Sequence, residues 1–270
     1  MLSVQDSVLS LVISLVALVV PACAEQSQFA ERSVTSGDAT YKYRIYVPSE
    51  KSDKAPPVML FLHGAGERGS DNEAQTKVGL APAISQQKDF PFIVVMPQCP
   101  RGRWWSEPDM QAQALKALEQ TIEEFKCDQS RVYLTGLSMG GYGLWAIAAS
   151  HPGKFAALAP VCGGVRPPRP VPVQPGTLDM SKMENPYAFV AEKVGKTPVW
   201  VFHGGADSVV PVTESQKMVE ALKAIGGNVK YTEYEGVGHN SWDKAYSESE
   251  LYKWMLTHTL GKTEKAQNKK

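Results

Sequence analysis

The chain has 270 residues and balances 28 Lys+Arg against 28 Asp+Glu, a formal net charge of +0. That balance excludes the clustered basic excess of a nucleic-acid binder and the polybasic stretch of a membrane-surface protein. With 43% hydrophobic residues, 21% charged residues and 4 Cys, the composition is neither that of a disordered chain nor that of a disulfide scaffold.

Val8 to Val20 is apolar apart from Ser10 and Ser14. A helix of that length reaches about 20 Å, short of the roughly 30 Å hydrocarbon core of a bilayer. The run ends at Pro21-Ala22-Cys23-Ala24, where Ala22 and Ala24 form a small-residue cleavage site. Residues 1–24 are therefore expected to be a signal peptide, cut after Ala24, that exports the chain to a periplasmic or extracellular space. Met1 to Ser7 departs from the pattern, with Asp6 and no Lys or Arg. Cys23 offers a second reading as a lipoprotein anchor, which Pro21 fits poorly. Cleavage leaves no transmembrane span and an almost neutral chain. Residues 25–261 read as one domain and 262–270 as a polar tail.

Tyr41, Tyr43, Ile45 and Val47 alternate with other residues, the period of a strand. The continuous apolar runs Val58 to Leu62 and Phe92 to Met96 read as strands buried on both faces, as in a parallel sheet. Leu115, Leu118, Ile122 and Phe125 recur at helical spacing within Asp109 to Lys126, which predicts an amphipathic helix. A strand at Arg131 to Thr135, a small-residue helix at Gly140 to Ser150 and a strand candidate at Phe155 to Cys162 follow. Arg166 to Gly176 contains five Pro and reads as an irregular surface excursion. A strand from Val199 to Phe202, a helix from Thr213 to Ile225 closed by Gly226-Gly227, a strand from Val229 to Tyr234 and a helix from Ser249 to Leu260 complete the chain. Strands alternating with helices imply an α/β fold with right-handed crossovers and a mainly parallel sheet.

The strongest chemical signal is Gly136-Leu137-Ser138-Met139-Gly140, a G-x-S-x-G set between a strand and a helix. A turn that sharp crowds the residues two positions either side of the serine, and glycine relieves the crowding while the hydroxyl stays exposed. Ser138 is thus the candidate nucleophile. A serine needs a base. Of the 5 His in the chain, His239 follows Gly236-Val237-Gly238 in a loop able to reach the C-terminal edge of the sheet. His63 and His203 precede glycines at strand ends and read as turn-shaping. His151 reads as exposed and His258 as structural. An acid must fix the base's tautomer. Asp207, just past the strand ending at Phe202, fits better than Asp179 in the excursion or Asp243 after the histidine. Backbone N–H groups of Met139 and Ala65, with Gly66 as the alternative to Ala65, are the expected oxyanion donors.

Phe61-Leu62-His63-Gly64-Ala65-Gly66-Glu67-Arg68-Gly69, the segment Leu134 to Gly143, His203-Gly204-Gly205-Ala206-Asp207 and Gly238-His239-Asn240-Ser241-Trp242 occur in that order. Together they resemble the α/β-hydrolase superfamily over about residues 41–256. The resemblance is greatest to single-domain esterases of the phospholipase/carboxylesterase and polyhydroxybutyrate-depolymerase-like group. It implies a mainly parallel central sheet flanked by helices on both faces, a Ser138–His239–Asp207 triad and hydrolysis of small acyl, feruloyl or acetyl esters. The excursion at Arg166 to Gly176 departs from the pattern.

Trp105 and Trp242 are the expected substrate-binding residues. Trp104 lies in the same loop as Trp105, and packing under that loop is the alternative reading for the pair. Glu67, Arg68, Asp71 and Asn72 read as a solvated surface, with positioning of the first loop as the alternative. No metal-ligand spacing is present, and neither metal nor cofactor is expected. Cys99 and Cys162 follow strands about three positions apart and Cys127 precedes one, so no disulfide is expected. The expected activity is serine-dependent hydrolysis of neutral acyl esters, small or polysaccharide-linked. The alternatives are a small-substrate peptidase or thioesterase on the same three residues, or a catalytically silent exported binding module.

Overall fold

The computed structural model describes residues 28–49, 53–87, 90–167 and 179–261. The expected signal peptide, the lipidation reading of Cys23, the polar tail and most of the Pro-rich excursion lie outside the described residues.

The strands are β1 (Phe29–Ser36), β2 (Ala39–Tyr46), β3 (Val58–Leu62), β4 (Ile93–Pro97), β5 (Val132–Leu137), β6 (Ala157–Val161), β7 (Val199–Gly204) and β8 (Val229–Tyr234). The helices are α1 (Leu80–Ser85), α2 (Pro108–Phe125), α3 (Met139–Ser150), α4 (Pro186–Val194), α5 (Thr213–Ala224), α6 (Trp242–Ser247) and α7 (Ser249–Leu256). One eight-stranded sheet runs in the order β1-β2-β4-β3-β5-β6-β7-β8. β1 and β2 pair antiparallel, as do β2 and β4, and every pair from β4 to β8 is parallel.

The alternation of side chains along each strand divides the core in two. Val58, Leu60 and Leu62 of β3 face one side and pack with α2, α3, α4 and α5. Met59 and Phe61 face the other and pack with α1, α6 and α7. Both faces are covered, so the central strands β3 to β7 are buried at every position rather than at alternate ones. This is the expected α/β-hydrolase architecture.

Four elements escape the sequence reading. β1 buries only Phe29 and Val34 among polar neighbours, so an edge strand leaves little periodic signal. The helices α1 and α6 have six residues each, too few to show a 3.6-residue period. Helix α4 carried a readable start: Pro186 in its first turn and Asn185 at its N-cap, whose side chain accepts a hydrogen bond from the Ala188 amide. The last helix ends at Leu256, short of the expected Leu260.

Candidate active site

The parallel strands end along one edge of the sheet, and the loops leaving β3, β5, β7 and β8 meet there. β5 turns directly into α3 through Ser138, which has φ 51° and ψ −118°. A non-glycine residue in that region is strained by about 1–3 kcal/mol and stays there only when its surroundings hold it. Three hydrogen bonds do so. The Ser138 amide donates to Val161 O at 2.9 Å, and its carbonyl accepts from the Gly141 and Tyr142 amides at 2.8 and 3.2 Å. Glycines make the turn possible. A Cβ on Gly136 would stand 2.5 Å from Gly140 O, and one on Gly140 only 1.9 Å from Leu62 O.

His239 lies in the loop between β8 and α6. Its Nε2 is 2.9 Å from Ser138 Oγ and its Nδ1 is 2.7 Å from Asp207 Oδ2. A carboxylate accepts only, so Nδ1 carries the proton and Nε2 accepts from the serine hydroxyl. The Asp207 side chain is 0% exposed. Its Oδ1 accepts from the Val209 and Val210 amides at 2.8 and 2.9 Å, which replaces lost water with fixed donors. Gly204 allows the approach of the two loops: a Cβ there would fall 2.3 Å from both Val237 O and Gly238 O. The structure therefore brings Ser138, His239 and Asp207 together. It puts the competing acids elsewhere, Asp179 capping a 3-10 turn and Asp243 in the first turn of α6.

Met139 is the first residue of α3 and Ala65 the first of a 3-10 turn, Ala65–Glu67. An amide at the head of a helical turn has no acceptor within that turn, so it is available to a ligand. The preceding Gly64 lies against the serine, with its Cβ position 3.6 Å from Ser138 Cβ.

The loop after β3 is braced by groups that sequence reasoning assigned to turns or solvent. His63 is buried: its Nδ1–H donates to Gly64 O and its Nε2 accepts from the Cys99 amide at 2.9 Å. Burial lowers its pKa to about 4, so it is neutral at pH 7. Arg68 donates to Ala65 O at 2.9 Å. Gln98, which the sequence reading missed, donates to Glu67 O and Asp71 Oδ1 and accepts from the amide of the fully buried Asn72. The Ala74 and Glu73 amides hold Asp71 down at about 2, and burial pushes Glu67 up. These residues tie the β3 loop to the β4 loop; Asn72 is buried, while Asp71 is exposed and Glu67 and Arg68 are partly so.

The two tryptophans separate. Trp105 is 0% exposed, contrary to its expected role as a substrate contact. Its Nε1 donates to His63 O at 3.0 Å, and its ring packs edge-on against His63 at 5.1 Å. The room for it is Gly143, whose Cβ would lie 2.2 Å from Trp105 Cβ. Trp105 is thus a support under the β3 loop. Trp104 is the partly exposed member of the pair, with the Arg68 guanidinium 6.0 Å over its ring. Trp242 packs edge-on against His239 at 5.3 Å and is partly exposed.

Cys99, Cys127 and Cys162 are free and buried, and β3 and β5 separate the strands that precede Cys99 and Cys162. Among the described residues, Cys162, Asp207 and His239 have ligand atoms within 4.8 Å of one another. Asp207 and His239 already bond each other, and burial pushes the Cys162 thiol up to about 12.

This architecture is that of the α/β hydrolases. A thermostable esterase of known structure is similar, at 33% identity and a TM-score of 0.72 over 86% of this chain and 63% of that one. The dienelactone hydrolase family matches residues 96–254, and the chain belongs to that family. Among curated relatives, poly(3-hydroxyalkanoate) depolymerase C of Paucimonas lemoignei is 27% identical over 226 residues, 71% of this chain and 48% of the depolymerase. An uncharacterized secreted protein of Arthroderma benhamiae is 28% identical over 204 residues, 70% of this chain and 22% of its own length. The chain thus spans less than half of either curated relative.

Proposed function

We propose that this chain is an exported serine esterase that hydrolyses neutral carboxylic esters, with Ser138 as nucleophile, His239 as general base and Asp207 as the acid that orients it. The observation that carries the reading is the continuous hydrogen-bonded line from Ser138 Oγ through His239 to the buried Asp207, at 2.9 and 2.7 Å. His239 takes the serine proton as Oγ attacks the ester carbonyl. Negative charge develops on the carbonyl oxygen, and the Met139 and Ala65 amides receive it. The protonated His239 then gives its proton to the departing alcohol. Water, activated by the same histidine, releases the acid from Ser138. Asp207 stabilises the imidazolium that forms.

The near-neutral chain provides little long-range field to recruit a charged substrate, which supports an uncharged ester held by local contacts. Trp242 and Trp104 supply partly exposed aromatic surface suited to an acyl chain, a phenolic ring or a sugar face. Feruloyl and acetyl esters of polysaccharides are accordingly the substrates to try beside small acyl esters. The leader-like residues 1–24 support export.

The test is Ser138→Ala. It should abolish hydrolysis of p-nitrophenyl acetate and labelling by a fluorophosphonate, while circular dichroism stays unchanged. A folded Ser138→Ala protein with full activity overturns the mechanism. A panel of acyl esters, feruloyl esters, thioesters and anilides separates an esterase from a thioesterase or peptidase.

A further inference from the structure

His203 lies at the end of β7, four residues before Asp207, and is 0% exposed. Its Nε2 is 3.0 Å from Val210 O, its Nδ1 is 2.7 Å from Ser215 Oγ on α5, and its Nε2 also lies 3.3 Å from Asp207 Oδ2. A carbonyl only accepts, so Nε2 carries a proton and Nδ1 accepts from the Ser215 hydroxyl. Burial lowers the pKa of His203, which keeps it neutral. Its N–H therefore donates to the Val210 carbonyl, and the same nitrogen stands 3.3 Å from the Asp207 oxygen that holds His239.

Val210 is gripped at both ends. Its carbonyl accepts from His203 and its amide donates to Asp207 Oδ1. Fixed contacts thus run from Ser215 on α5 through His203 and Val210 to Asp207, and on through His239 to Ser138. The charged and titratable groups around this line are few. Glu233 on β8 is the register partner of His203, and Asp207 and His239 face it from the loops after β7 and β8. On the β6 side Cys162 approaches Asp207, and Tyr142 of α3 faces the same carboxylate.

We propose that His203 is a positioning residue for the reaction proposed above, on which this inference rests: the neutral imidazole, oriented by Ser215, locks the Asp207 carboxylate through Val210 and moderates the charge on the oxygen that binds His239. A buried carboxylate with one partner fewer concentrates its charge on the partner that remains. Without the His203 N–H, Oδ2 loses the positive end of a dipole 3.3 Å away and acts more strongly on His239. That favours the imidazolium, which cannot act as base.

The experiment measures kcat/KM for p-nitrophenyl acetate, and the rate of fluorophosphonate labelling, from pH 5 to 9 for the wild type, His203→Leu, His203→Gln and Ser215→Ala. In His203→Leu the acid limb of both profiles should move up by about half a pH unit or more, and kcat per labelled site should fall about tenfold or more. His203→Gln keeps an N–H donor and should lie closer to the wild type in both. Ser215→Ala releases the tautomer and should shift the limb in the same direction by less. It also carries the test if melting curves show His203→Leu unfolded. Unshifted limbs in the folded variants overturn the inference, because a merely structural histidine lowers the folded fraction without moving the profile. Failure of the underlying reading looks different: labelling of the wild type would be absent, or would persist in Ser138→Ala.

Discussion

Gly140→Ala is the smallest change that should break the site from outside its reacting atoms. A Cβ on Gly140 would stand 1.9 Å from Leu62 O, 2.5 Å from Leu62 C and 2.9 Å from His63 O. Ordinary contact begins near 3.4 Å, so the first turn of α3 must retreat from the end of β3 by more than an ångström. All three obstacles are backbone, so no side chain can swing aside. Leu62 is held in register opposite Gly136, which resists movement from the sheet side. The displacement therefore falls on the Ser138–Met139 turn. That turn carries Ser138, the proposed nucleophile, and the Met139 amide proposed as an oxyanion donor, while the chain after Leu62 carries the proposed Ala65 donor. Overpacking of this kind costs about 1–3 kcal/mol. A misplacement near 1 Å costs about 10²-fold in rate. Urea denaturation and kcat for p-nitrophenyl acetate, normalised to folded protein, measure the two effects. Gly238→Ala is the stability comparison, because no atom lies within 4 Å of its Cβ position. A Gly140→Ala protein with wild-type stability and wild-type kcat would refute the claim that close approach at the elbow sets the geometry.

The buried His63 gives a pH prediction with a definite sign. Its folded pKa of about 4 lies below the unfolded value of 6.5, so the unfolded chain takes up a proton first on acidification. Stability should fall from about pH 6.5 towards pH 4, by up to about 3 kcal/mol from this group. His63→Gln can still accept from the Cys99 amide and should show a shallower acid slope in urea titrations; an identical slope refutes the assignment. Trp105→Ala removes a fully buried indole and the donor to His63 O, and should cost about 3–5 kcal/mol in chemical denaturation. A loss below 1 kcal/mol would mean that Trp105 does not support the loop. Trp242→Ala should instead raise KM for aromatic acyl esters several-fold with a small stability change, and an unchanged KM removes it from the substrate surface.

The legible parts of this molecule are those where covalent spacing alone fixes the geometry. A glycine two residues either side of a serine, between strand and helix, defines an elbow before any tertiary contact is known. The apolar runs at Val58 to Leu62 and Phe92 to Met96 announce strands buried on both faces for the same reason. An edge strand such as β1, which hides two side chains, has no such signature. His203 was legible as a strand-end residue but not as a neighbour of Asp207, because its orientation depends on Ser215 arriving from α5 and on the Val210 carbonyl.

Trp105 shows most clearly where spacing stops. Position in a loop at the C-terminal edge of the sheet is shared by Trp104 and Trp105, and both are equally suited to grip a substrate. The choice between them is made by Gly143, which lies five residues beyond Ser138 and leaves a hollow that Trp105 occupies. Spacing along the chain does not identify the occupant of that hollow. Once Trp105 fills that hollow its N–H reaches His63 O, and His63 in turn receives the Cys99 amide. The burial of one aromatic ring thus braces the loop that presents the Ala65 amide. The same packing leaves its neighbour Trp104 partly exposed, beside Arg68. A single small residue in α3 therefore divides two adjacent tryptophans between support and surface, and Gly143→Ala should disturb the β3 loop as well as the helix.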